Sequence, residues 1–156
     1  MFKVALAVLV CFTCALFALP YDGASPFPNP QDNAGGFSSP NVSQANAQAI
    51  YWINLIDQHQ YWASWLAAGG LLQDVVTQKQ WNAAMSTLRT PLGPVTSRKL
   101  VYSQATRELR HGTLGNFMVL QFNTNYVRMT NAVETVVLTT EGPLALWRVI
   151  SYNIAK

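Results

Sequence analysis

Charge is what this sequence has least of. Only 11% of its 156 residues are Asp, Glu, Lys or Arg, against roughly a quarter in ordinary soluble domains. Ten basic and seven acidic residues leave a net +3. The densest basic spot is Arg107, Arg110 and His111 around Glu108, too small for the clustered footprint that nucleic acid requires. Cysteine is as scarce: Cys11 and Cys14 both lie inside an apolar run, without the wet, positive setting that thiolate chemistry needs. No His-x-x-x-His or Gly-rich phosphate loop occurs. Metal and nucleotide sites therefore lack their ligands, and no metal or cofactor is expected. After residue 19 no apolar run approaches the ~20 residues of a spanning helix, so the domain behind it is not expected to insert into a membrane.

What is present is apolar and aromatic: 50% hydrophobic residues, with 12% Phe, Trp and Tyr, enough for one core in a chain of this length. Residues 1–19 place Lys3 before an apolar run closed by Pro20, the pattern of a secretory signal peptide. Cleavage is expected after Ala18, the alternative being an uncleaved N-terminal anchor. Residues 20–42 hold five Pro and three Gly and read as a disordered linker, leaving residues 43–156 as the folded domain.

Ser43 is a candidate cap for a helix whose apolar positions Ala45, Ala49, Trp52, Ile53 and Ile56 run to about Gln58. A second helical piece, Tyr61 to Leu66, stops at Gly69-Gly70. Thr77 and Gln80 form a capping box ahead of the stripe Trp81, Ala84, Met85 and Leu88, which ends at Thr90-Pro91. After Gly93 the period falls to two. Strands are expected over 95–102, 116–128, 132–140 and 146–154, with hairpins at 128–131 and 141–143. Helices followed by hairpin-linked strands predict an α+β domain, with three N-terminal helices packed on one face of a four-stranded antiparallel sheet.

From about Ala49 to Ile154 the chain resembles the DUF4019 family of exported bacterial proteins. The resemblance rests on pieces in order: Ser64-Trp65, Val76-Thr77, Gln80-Trp81, Arg89-Thr90-Pro91-Leu92-Gly93, Ser97-Arg98, Val119-Leu120-Gln121-Phe122 with Thr124, Ala132-Val133-Glu134-Thr135-Val136, and Trp147-Arg148-Val149 with Tyr152. It departs at Leu109 to Gly115 and at Ser151. The resemblance implies a curved sheet of NTF2-like or cystatin-like architecture, in which a cone-shaped pocket opens between helices and sheet. It implies no particular activity.

Glu134 is the acid of interest, because strand alternation puts it on one face with Ala132, Val136 and Leu138. A carboxylate among apolar neighbours either rises in pKa or finds a cation. Arg98 is the candidate partner, expected to share a face with Leu100 and Tyr102. One reading makes Glu134 a base or ligand anchor in the cone, helped by Arg98 and Tyr126; the other makes Glu134 and Arg98 an ion pair that sets strand register. Asp57 and His59, two apart at a helix end, fall on different faces and make a poor dyad. Among the aromatics, Trp65, Trp81 and Trp147 are expected in the core, and Trp52, Trp62, Tyr126 and Tyr152 are candidate walls of a ligand cavity. The expected protein is an exported, periplasmic or secreted, non-enzymatic binding or interaction module. Its expected partner is a small apolar ligand or another envelope protein, with a homodimer through the open sheet face also open. The alternative is a hydrolase or isomerase using Glu134.

Overall fold

A computed structural model describes residues 39–109 and 112–156. The expected signal segment lies outside these residues, as does the linker up to Ser38. Helix α1 spans Ser39–Asp57 and so starts four residues ahead of Ser43, taking the last part of the expected linker into the domain. Pro40 does not oppose this start, since the first-turn amides of a helix have no intrahelical partner. The helix ends in a left-handed residue, His59, at φ 58°. There Gln60 N–H donates to the Leu55 carbonyl at 2.8 Å and His59 N–H to that of Ile56 at 3.0 Å, which satisfies two carbonyls of the final turn.

Four helices, not three, precede the sheet among the described residues: α2 at Tyr61–Ala67, α3 at Gly70–Val75 and α4 at Gln78–Arg89 complete the set. The six-residue α3 is too short to announce itself by periodicity, and Gly69 is its N-cap rather than a simple stop. Gln73 ties α3 back to α2 by donating from its side-chain amide to the Trp65 carbonyl at 2.9 Å, and Trp65 Nε1–H donates to the Val76 carbonyl at 2.8 Å. The capping box of α4 forms as expected, with Gln80 N–H donating to Thr77 Oγ1 and Thr77 N–H to Gln80 Oε1.

The strands are β1 Val95–Leu109, β2 Thr113–Tyr126, β3 Ala132–Glu141 and β4 Leu146–Ala155. They form one antiparallel sheet in the order β1-β2-β3-β4. β1 runs seven residues past its expected end. Extra residues at Thr96 and Val101 hide that length in the sequence, because each inverts the inward–outward alternation; at the third register shift, opposite Arg107, the extra residue lies on β2. The shift at Val101 also corrects one expectation. Leu100 stands opposite Phe122 but Tyr102 opposite Gln121, so Tyr102 lies on the other face from Arg98 and Leu100.

The main core lies between the helices and one sheet face. Trp52, Ile53, Ile56, Leu72, Trp81 and Met85 meet Met118, Leu120, Phe122, Val136, Leu138 and Val149 there. Trp52 is its centre: its ring lies 5.8 Å from Trp81 and 5.4 Å from Tyr152, and its Nε1–H donates to the Ser64 carbonyl at 2.7 Å. A smaller cluster of Phe117, Val119, Val137 and Ile150 is buried on the opposite face. No helix of the described residues is long and apolar enough to cross a membrane.

The helical layer is fastened to the outer strand at Gly69, whose N–H donates to the Val149 carbonyl at 2.7 Å. A Cβ at Gly69 would sit 2.6 Å from Glu141 Oε1 and 2.9 Å from Ile150 Cγ2. Gly69→Ala is therefore expected to destabilise the domain by about 1–3 kcal/mol through crowding, read from the urea midpoint; an unchanged midpoint would show that α3 is free to lift from β4.

Candidate functional site

The charged residues of the interior converge on Glu134. Its position on β3 faces the helices along with Ala132, Val136 and Leu138, as the alternation predicts, and its side chain is 0% exposed. Arg98 on β1 donates from Nε to Oε2 at 2.5 Å and from Nη2 to Oε1 at 3.3 Å. Thr124 Oγ1–H donates to Oε2 at 2.6 Å. The hydroxyls of Tyr126 and Tyr152 both donate to Oε1, at 2.6 and 2.5 Å, and Arg89 Nη1 approaches the same oxygen at 3.3 Å. Both carboxylate oxygens are thus engaged on more than one side, which leaves no open lone pair for an incoming proton or ligand.

Arg89 and Asp57 complete the cluster. Arg89 closes the last turn of α4, donates to Asp57 Oδ1 and to the Tyr126 hydroxyl, and places its Cζ 4.6 Å from the Tyr126 ring centroid. Arg98 Nη1 and Nη2 donate to the two oxygens of Asp57 at 2.7 and 3.1 Å. Two carboxylates and two guanidiniums therefore interleave, with zero net formal charge. Asp57, at 21% side-chain exposure, is the one member of the four that meets water appreciably. Removing any one of them would leave an unpaired charge in the interior, a loss of about 3–5 kcal/mol in comparable buried pairs.

Electrostatics follow from this packing. Burial alone would raise the Glu134 pKa, but the hydrogen bonds and charge of Arg98, with Thr124 and Tyr126, hold it below the ordinary carboxylate value. Burial and the neighbouring Glu134 carboxylate push the Tyr126 and Tyr152 hydroxyls well above their usual value. Burial opposes the charge on Arg98, yet its hydrogen bonds to Asp57 and Glu134 prevail and keep it more firmly protonated than usual. At neutral pH Glu134 is therefore a carboxylate, Arg89 and Arg98 are guanidiniums, and Tyr126 and Tyr152 are neutral phenols.

The sequence-derived candidates divide accordingly. Glu134, Arg98, Tyr126 and Tyr152 are brought together, and Trp52 packs against Tyr152. Trp62 is not among them: it is 56% exposed on the outer side of α2. Trp81 and Trp147 are buried and Trp65 half-buried. His59 turns away from Asp57, its Nδ1 lying 2.7 Å from the Tyr61 hydroxyl. Asp57 and Arg89 went unrecognised as members, although a signal existed. Asp57 lies four residues after Ile53, and Arg89 four after Met85, so each prolongs the buried stripe of its helix. Among the described residues no cluster of His, Cys, Asp and Glu could hold a metal ion.

A four-stranded antiparallel sheet with helices on one face and a neutralised ionic cluster between the layers defines an α+β protein with a polar-centred core. Residues 48–152 match the family described as "Protein of unknown function (DUF4019)", and the chain belongs to that family. No curated protein and no solved structure matches the chain.

The titrations set a pH window. Glu134 has a folded pKa below its unfolded one, so its stabilisation is complete above the ordinary carboxylate range and is lost as pH falls through the folded value. Tyr126 and Tyr152 have folded values above the unfolded ~10, so their contribution is complete below pH ~10 and is lost as pH rises beyond it. Thermal midpoints across pH should show a plateau with a falling limb on each side. Tyr152→Phe should flatten the alkaline limb and leave the acid limb in place; an alkaline limb unchanged in that variant would remove Tyr152 from the account.

Proposed function

We propose that this chain is a non-enzymatic binding or interaction module of the bacterial envelope, exported by residues 1–19 and built on an NTF2-like or cystatin-like plan. The single observation that carries the non-enzymatic reading is the saturation of Glu134. A general base near neutral pH needs an accessible lone pair and a pKa raised toward 7, and this carboxylate has neither. The apolar interior is likewise occupied by packed aromatics: Trp52, Trp81, Tyr126 and Tyr152 fill the space between helices and sheet. Support for export comes from the Lys3-led apolar run and the Pro/Gly-rich stretch behind it. The architecture is favoured by the long, repeatedly bulged β1 and the antiparallel order of the strands, since bulges bend a sheet around the helices it carries. The partner is a small apolar ligand or another envelope protein, met at the surface of the domain.

The test is native mass spectrometry of the protein purified from its own envelope, alongside Glu134→Gln. The proposal expects a companion, small molecule or protein, on the wild-type chain. It also expects Glu134→Gln to lose about 3–5 kcal/mol of stability as Arg98 and Arg89 lose a carboxylate. A Glu134→Gln protein that melts like the wild type, yet abolishes a turnover detected in it, would instead make the chain a hydrolase or isomerase with Glu134 as base.

A further inference from the structure

The edge of a β-sheet carries a row of backbone N–H and C=O groups, and what satisfies such a row from outside is another strand. In the order β1-β2-β3-β4 the edges are β1 and β4. The helical layer closes the second of these. Gly69 N–H donates to the Val149 carbonyl at 2.7 Å, and the extra residue Ile150 bends the strand beside it. β1 is left open. At 15 residues it is the longest strand, and among the described residues no strand pairs with its outward side. Only its tip is engaged locally, where Thr106 Oγ1 accepts from Glu108 N–H and donates to the Glu108 carbonyl.

The sequence of β1 specifies the occupant. Two copies of one strand pair antiparallel about a two-fold axis when every residue meets a partner on its own face. Lys99, Tyr102, Gln104 and Thr106 stand on the outer face, opposite Asn123, Gln121, Val119 and Phe117 of β2, and Val101 is the extra residue among them. Alternation puts Glu108 on that face too. An axis at Gln104 sets this residue opposite its own copy and Tyr102 opposite Thr106. Beyond Val101, bulged as it is against β2, Lys99 then falls opposite Glu108. The two-fold repeats the pair, so two exposed cations meet two exposed acids. The bulge makes the match possible, because residues an odd number of positions apart otherwise point to opposite faces. Neighbouring registers fail on charge. An axis at Ser103 sets Arg107 opposite Arg98, like against like, and one at Ala105 sets Glu108 opposite the uncharged Tyr102. A foreign strand has no reason to carry this pattern, whereas a second copy carries it by symmetry.

We propose that β1 pairs with β1 of a second copy about a two-fold axis at Gln104, joining the two sheets edge to edge. The backbone ladder holds the copies together, and the two Lys99–Glu108 pairs fix the register, since exposed ion pairs give specificity more than affinity. The sheet faces take no part, and the inference holds whether the domain binds or catalyses. The test is sedimentation equilibrium of the protein purified from its own cells, over a wide concentration range, with charge reversals. The wild type should rise from monomer toward twice the monomer mass. Lys99→Glu and Glu108→Lys should each weaken self-association by about tenfold or more, because two pairs turn repulsive at once. Mixed in equal amounts, these two variants should associate with each other as tightly as the wild type does with itself. The doubly reversed Lys99→Glu/Glu108→Lys protein should regain the wild-type dimer as well. Lys99→Gln and Glu108→Gln serve if a reversal fails to fold, each weakening the dimer in the same direction by a smaller factor. A wild type that stays monomeric throughout, a reversal that leaves the dimer unchanged, or a mixture that associates no better than its components would overturn the proposal.

Discussion

A carboxylate removed from water stays ionised only where other groups replace the lost hydration, and the architecture of this domain is arranged around that requirement at Glu134. Its partners arrive from each of the other three strands and one helix: Arg98 from β1, Thr124 and Tyr126 from β2, Tyr152 from β4 and Arg89 from α4. Asp57, at the end of α1, joins both arginines. Six elements therefore meet at one charge-neutral cluster. Each hydrogen bond depends on the register of the element that supplies it, because a slip of one residue along a strand turns its side chains to the other face. The cluster thus penalises wrong registers more than it adds to net stability, since buried ion pairs often only break even against apolar packing.

Around this polar centre the aromatic core does the larger share of the stabilising. The Trp52 ring contacts those of both Trp81 and Tyr152, and the indole N–H groups of Trp52 and Trp81 reach the Ser64 carbonyl and hydroxyl at 2.7 and 3.0 Å. Ser64 in turn donates to the Tyr61 carbonyl, so a buried hydroxyl between two tryptophans is fully used. Tyr152 belongs to both systems, its ring to the core and its hydroxyl to Glu134. Apolar packing and the ionic cluster are therefore not independent: moving one displaces the other.

How far this was legible beforehand depended on the kind of signal. Capping chemistry is local, so Thr77 and Gln80 marked the start of α4 without tertiary information. Strand alternation placed Glu134 on the core face and suggested Arg98 as its partner. Where the alternation broke, legibility broke with it: the extra residue at Val101 moved Tyr102 to the opposite face and concealed the far end of β1. Helix α3 was missed because six residues fall below a useful period and Gly69-Gly70 reads equally well as a stop or a start. Asp57 and Arg89 were missed for a different reason. A charged residue at a helix end is ordinarily solvated, and only the packing of α1 and α4 over one sheet turns both ends inward to the same point. Trp62 was misplaced because an aromatic residue carries no mark of the side of a short helix it will occupy.

The most direct test of the central claim is to follow the Glu134 side-chain carboxyl by carbon-13 NMR through an acid titration of the folded protein. With its oxygens held by Arg98, Thr124, Tyr126 and Tyr152, the resonance should remain that of a carboxylate below the ordinary glutamate range, changing only as the domain itself unfolds. A carboxyl that titrates at or above the ordinary value while the fold stays intact would contradict a saturated, permanently ionised Glu134 and the account built upon it.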